Sequence, residues 1–93
     1  MRIVWDEEKN RRNLAKHKVS FERASLVFQD RLARSIPDPC EHEERWQTLG
    51  LVNGVVVLLV VHTVGEQDDE EIIRIISARK ATRTERQAYE ESH

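Results

Sequence analysis

The pair Asn53-Gly54 and the run Val55–Thr63 behind it limit the possible folds of this chain more than any other segment. Both residues of an Asn-Gly pair tolerate positive φ, which favours a tight hairpin turn. The run itself, VVVLLVVHT, is nearly continuous Val and Leu, as expected of a central strand covered on both faces. Its apolar part, Val55–Val61, is seven residues long, far short of the roughly 20 needed to cross a bilayer. Such a strand needs strands on both sides and helices above it, so its partners must come from the rest of the chain.

They are readily found. Arg2–Trp5 is a short first strand ending at Asp6, which caps a helix over Glu7–His17 with Glu7 and Glu8 in its first turn. In that helix only Leu14 and Ala15 are inward candidates; Lys9, Arg11, Arg12, Asn13 and Lys16 make it basic and mostly exposed. Ser20 caps a second helix, whose Phe21, Ala24, Leu26, Val27 and Phe28 supply a core face. Ile36-Pro37-Asp38-Pro39 predicts a loop, because two prolines this close oppose both helix and central strand. A short extra strand near Leu32–Ser35 is possible. Glu43–Leu49 is the first hairpin strand and can extend to Val52. Gly65–Glu71 is an acidic turn, and Ile72–Arg79 is the last strand, expected at the sheet edge. Thr82-x-x-Glu85 is a capping box, so a final helix runs from about Arg83 to Glu90. The order β, α, α, three-stranded antiparallel meander, α predicts an α+β fold, with helices largely on one face of the sheet.

The 93 residues suffice for a single domain, 1–93, with one modest core. The net charge of −2 supplies no long-range attraction for nucleic acid, so any polyanion contact must be local. The single cysteine, Cys40, excludes an internal disulfide and fits a reducing cytoplasm. Charges begin at Arg2, unlike a signal peptide, so a soluble cytoplasmic protein is expected.

Against that balanced charge, the cations of Ile73–Arg86 stand out. Arginine grips phosphate or carboxylate through a planar, always-charged fork. In a regular strand Arg74 and Arg79 point to opposite faces; a bulge near Ser77 would bring them closer. Each has a bland alternative in pairing with Glu43, Glu44, Glu70 or Glu71. Arg45 and Trp46 project to opposite faces, and Trp46 is either core or a stacking platform for a base. His17 stands at a helix C-terminus, where a cation is favoured. His62 is a packed histidine or, facing a pocket, a general base. The histidine spacing matches no zinc pattern, Cys40-x-His42 is a weak metal signal, and no cofactor is implied.

Three stretches, WDEEKNRRNLAKHKVSFERASLVFQD, EERWQTLG and RIISARKATRTERQAYE, together resemble the BrnT family of bacterial type II toxins. Lys16-His17, Val19-Ser20-Phe21, Glu44-Arg45-Trp46 and Ile75–Thr82 carry most of that resemblance. It implies a RelE-like fold and metal-independent endoribonuclease activity that inhibits translation. It also implies a BrnA-like antitoxin partner, with promoter DNA bound only through that antitoxin. Two positions depart from the family pattern: Lys18 replaces the usual glycine after Lys-His, suggesting a different turn, and Val64-Gly65 stands where a charged residue is common.

Metal-free RNA cleavage needs a base for the 2′-OH proton, cations for the phosphorane and an acid for the leaving 5′-oxygen. On this resemblance Arg79 and Arg45 meet the phosphate, with Arg74 in support. Glu44 or His17 is the base or acid, Lys9 and Lys80 position the RNA backbone, and Trp46 stacks on a base. Of these, Arg79 is the one without a sufficient structural reason. A second reading is a degenerate toxin that acts only as an antitoxin-binding module and co-repressor, which the acidic Glu66–Glu71 run favours. A DNA-binding protein is disfavoured by the lack of a basic recognition helix.

Overall fold

The computed structural model describes residues 1–93. Its elements are β1 (Arg2–Val4), α1 (Glu7–His17), α2 (Phe21–Ala24), a 3-10 turn (Ser25–Gln29), β2 (Arg34–Asp38), β3 (Arg45–Val52), β4 (Val56–Gln67), β5 (Glu70–Lys80) and α3 (Arg83–Glu91). They build one five-stranded mixed sheet in the order β1-β5-β4-β3-β2. β2 to β5 form an antiparallel meander, and β1 adds to β5 in parallel. The α+β class and the central β4 match expectation. The meander, however, has four strands, and β5 lies inside the sheet because β1 returns to cover its outer edge.

Two further corrections concern loops. Ile36-Pro37-Asp38 belongs to β2, with Pro37 opposite Trp46. An outermost strand has one hydrogen-bonding side free, so a residue without an N–H is tolerated there. The acidic turn shrinks to Asp68 and Asp69, at φ 52° and 64°, and β4 and β5 run on to meet it. The Asn53-Gly54 turn adopts the left-handed conformation its sequence favours, at φ 54° and 69°.

The core forms where Val19, Phe21, Ala24 and Val27 meet Val52, Leu58, Val60, Ile75 and Ala78. Phe21, Ala24 and Val27 recur every third residue and are all fully buried. That period suits the tightening from α2 into a 3-10 turn, which replaces the longer helix expected here. The turn lies so close to β3 that a Cβ on Gly50 would stand 2.7 Å from Val27 Cβ.

α1 buries Asn10 and Asn13, while Leu14 is 49% exposed, reversing the expected inward face. β1 pairs only with Ile72–Arg74, so beyond that point the edge of β5 needs another partner. Asn13 supplies it. Its Nδ2 donates to the carbonyls of Ala78 and Val19 at 2.8 Å, and its Oδ1 accepts from the Ala78 N–H at 3.1 Å. α1 ends with Lys18 in the left-handed conformation (φ 62°), its N–H bonded to the Leu14 carbonyl, so the helix end keeps its turn without glycine. No helix is long and apolar enough to cross a membrane.

Candidate functional site

A bulge in β5 decides the geometry of the arginines. Val61 stands opposite Ser77 and His62 opposite Ile75, leaving Ile76 as an extra residue. The alternation therefore changes phase. Ile73, Ile75 and Ala78 all face the helical layer of α1 and α2, at 4%, 1% and 1% exposure. Arg74 and Arg79 consequently both face away from it. Arg45 shares their side, since its neighbour Trp46 pairs with His62 on the helical side.

α3 borders this second face instead of joining the other helices. Thr84, Glu85 and Ala88 stand with Arg34, Ile36, Gln47, Leu49 and Leu59 around a cavity of about 240 Å³. Tyr89 fastens the far end of α3 by donating to Asp30 Oδ2, and Asp30 also accepts the Leu51 N–H. Burial and the Asp30 carboxylate push the Tyr89 hydroxyl up to about 12. The part of the face beyond α3 carries Arg45 and Arg74, and Arg79 stands at its border with α3.

Each of those arginines is paired within the chain. Glu43 Oε1 accepts from Arg45 Nε at 2.8 Å, and Glu43 Oε2 accepts from Arg74 Nη2 at 3.0 Å. The Arg45 hydrogen bond, helped by the Arg74 charge, holds the Glu43 carboxyl below the usual carboxylate range. Arg79 makes a two-pronged pair with Glu85, Nη1 to Oε1 at 2.7 Å and Nη2 to Oε2 at 2.9 Å. Glu85 Oε1 also accepts the Thr82 N–H at 2.8 Å, completing the predicted capping box. Arg79 chiefly, with the Thr82 bond, brings the Glu85 carboxyl down to about 2. Arg79 thus has a structural partner that the sequence did not disclose. Glu85 comes within reach only because α3 folds back over the face that the bulge gives to Arg79.

The other candidates are dispersed. Glu44 is exposed in the loop just before β3, beside Arg45 in the chain. Trp46 lies half-buried on the helical side. Lys80 shares that side through its pairing with Leu58. Lys9 and His17 belong to α1, exposed and half-buried respectively. The structure therefore joins Arg45 and Arg74 through Glu43, sets Arg79 further along the same face, and leaves His17, Lys9, Lys80 and Trp46 elsewhere. His62 is a packed histidine, its Nε2 2.7 Å from Thr48 Oγ1 and its ring edge-on to Phe28 at 4.9 Å. Burial lowers its pKa. Glu43, which the sequence offered only as an ion-pair partner, proves to be the residue that joins two of the arginines.

This fold is similar to a solved toxin structure, the ribonuclease toxin BrnT of Brucella abortus. The two share 31% identity and a TM-score of 0.64, over 89% of this chain and 99% of that one. No curated protein matches the chain. The likeness points to the class of ribonuclease toxins of type II toxin–antitoxin systems. Residues 5–85 match the family described as the ribonuclease toxin BrnT of such systems, and the chain belongs to that family.

Proposed function

We propose that this chain is itself a metal-independent endoribonuclease, which inhibits translation in the cytoplasm and is neutralised by a BrnA-like antitoxin. The observation that carries this reading is that Arg45, Arg74 and Arg79 share one sheet face, Arg79 joining it through the β5 bulge. Guanidinium groups there would stabilise the charge that builds on a phosphorane. Arg45 and Arg74 meet the phosphate first, and Arg79 joins only when Glu85 releases it. Glu44 adjoins Arg45 and takes the part of the base; His17, on α1, is further removed. Lys9, Lys80 and Trp46 would touch RNA only beyond the arginine face. The side chains that support a metal-free route are these cations, which can supply the positive charge a phosphorane needs. Promoter DNA is bound through the antitoxin alone.

Inducible expression of the chain without its antitoxin tests the reading. Growth should stop, with RNA fragments ending in 2′,3′-cyclic phosphate and 5′-hydroxyl, and Arg45→Ala or Arg74→Ala should restore growth. The purified chain should still cut RNA in excess chelator. Harmless expression would instead favour a binding module that docks the antitoxin and co-represses. One observation supports that second reading: all three arginines are already paired to carboxylates of the chain itself.

A further inference from the structure

The three arginines differ in which part of the guanidinium is engaged. Each guanidinium has five N–H donors in a fixed plane. Arg79 spends both terminal nitrogens on Glu85. Arg45 is held at its near end, through Nε, so both of its terminal nitrogens stay available. Arg74 gives one terminal nitrogen to Glu43 and keeps Nε and the other. Arg79 is locked, whereas Arg45 and Arg74 are anchored with their forks free.

Glu43 is what allows those two to approach. Arg45 is on β3 and Arg74 on β5, with β4 between them, so their backbones are about 9–10 Å apart. Two guanidinium groups drawn together across that gap repel each other unless an anion lies between them. Glu43 places one oxygen on each. The trio keeps a net charge of +1, matching one phosphodiester. Its side chains are 32%, 43% and 36% exposed for Arg45, Arg74 and Glu43, open enough for a strand to reach. Thr63, which pairs with Arg74 and follows the His62 that pairs with Trp46, puts a small hydroxyl side chain between the arginines.

We propose that Glu43 is a positioning residue that sets Arg45 and Arg74 side by side as a clamp for one phosphodiester of single-stranded RNA. RNA as the ligand rests on the ribonuclease reading; the clamp rests on the geometry of the three side chains. The test compares the wild-type chain, Glu43→Gln and Glu41→Gln, an exposed site on the same loop with the same charge change. The probe is a fluorescent 2′-O-methyl oligoribonucleotide, which cannot be cleaved through its 2′ position. Glu43→Gln should weaken binding about tenfold, although it removes a negative charge, and flatten the salt dependence by about 0.7 per lost phosphate contact. Glu41→Gln should bind as well as wild type or slightly better. Equal or tighter binding by Glu43→Gln would mean that Glu43 merely blocks the arginines, and would overturn the clamp. So would a wild-type chain that does not bind the probe. A chain that binds it but leaves unmodified RNA uncut would overturn the nuclease reading and leave the clamp standing. If Glu43→Gln does not fold, side-chain NMR of the wild type decides: the probe should shift Arg45 and Arg74 signals and not those of Arg79, and the reverse would refute the proposal.

Discussion

Glu85→Gln removes the charge from the Arg79 fork yet leaves an amide able to reach the Thr82 N–H, since glutamine also serves at this position of a capping box. The Glu85 carboxyl sits at about 2, against an ordinary 4.5. At about 1.4 kcal/mol per pH unit, that difference sets a ceiling of roughly 3 kcal/mol on what the ionised group adds to stability. The Arg79 side chain is 39% exposed, and solvent screening reduces the figure to about 1–2 kcal/mol. Because the folded-state pKa lies below the unfolded one, the contribution is complete above 4.5 and is lost as the pH falls towards 2. Urea unfolding of both proteins at pH 7 and at about pH 3 reads this directly. Glu85→Gln should be less stable by about 1–2 kcal/mol at neutral pH, with more than half of the difference gone in acid. A difference that is the same at both pH values would refute the reasoning. So would one below about 0.3 kcal/mol at pH 7, which would make the pair an ordinary exposed contact and leave Arg79 free to meet phosphate at rest.

Lys18→Gly should stabilise the chain by about 1 kcal/mol, because glycine adopts φ 62° without the penalty a Cβ brings. For a chain of this size a thermal melt should then move up by about 4–8 °C, and an unchanged or lower midpoint would show that the left-handed turn is not strained. Asn13→Leu should cost about 2–4 kcal/mol in urea unfolding, since the Ala78 N–H and carbonyl both lose a buried partner. Amide exchange at Ala78 should accelerate with it; unaltered exchange would mean that Asn13 does not close the edge of β5.

What was legible in the sequence was short in range. Asp6, Ser20 and Thr82 cap helices as their spacing implies, because a cap is an interaction over two or three residues. Asn53-Gly54 turns the chain for the same reason. Leu14 misled, since an apolar residue on a mostly polar helix looks inward until the neighbour is known. That neighbour proved to be an unpaired strand edge, which calls for an amide and so turns Asn13 inward. Arg79 misled in the opposite sense. Its partner Glu85 was already assigned to the capping box, and one carboxylate with two duties cannot be read from spacing.

By itself, then, the sequence determined the order of the elements other than β2, the Asn53-Gly54 turn, the caps and the supply of arginines. The tertiary structure decided which way those arginines point. β5 carries isoleucines at 72, 73, 75 and 76, so both parities look apolar and no glycine or proline marks where the phase changes. The bulge is a property of how β5 registers against β4, and only that pairing sets Arg74 and Arg79 on one face. Likewise Glu43 and Arg74 are 31 residues apart in the chain and meet at 3.0 Å. A contact of that separation depends on three strands being laid side by side, which no local pattern encodes.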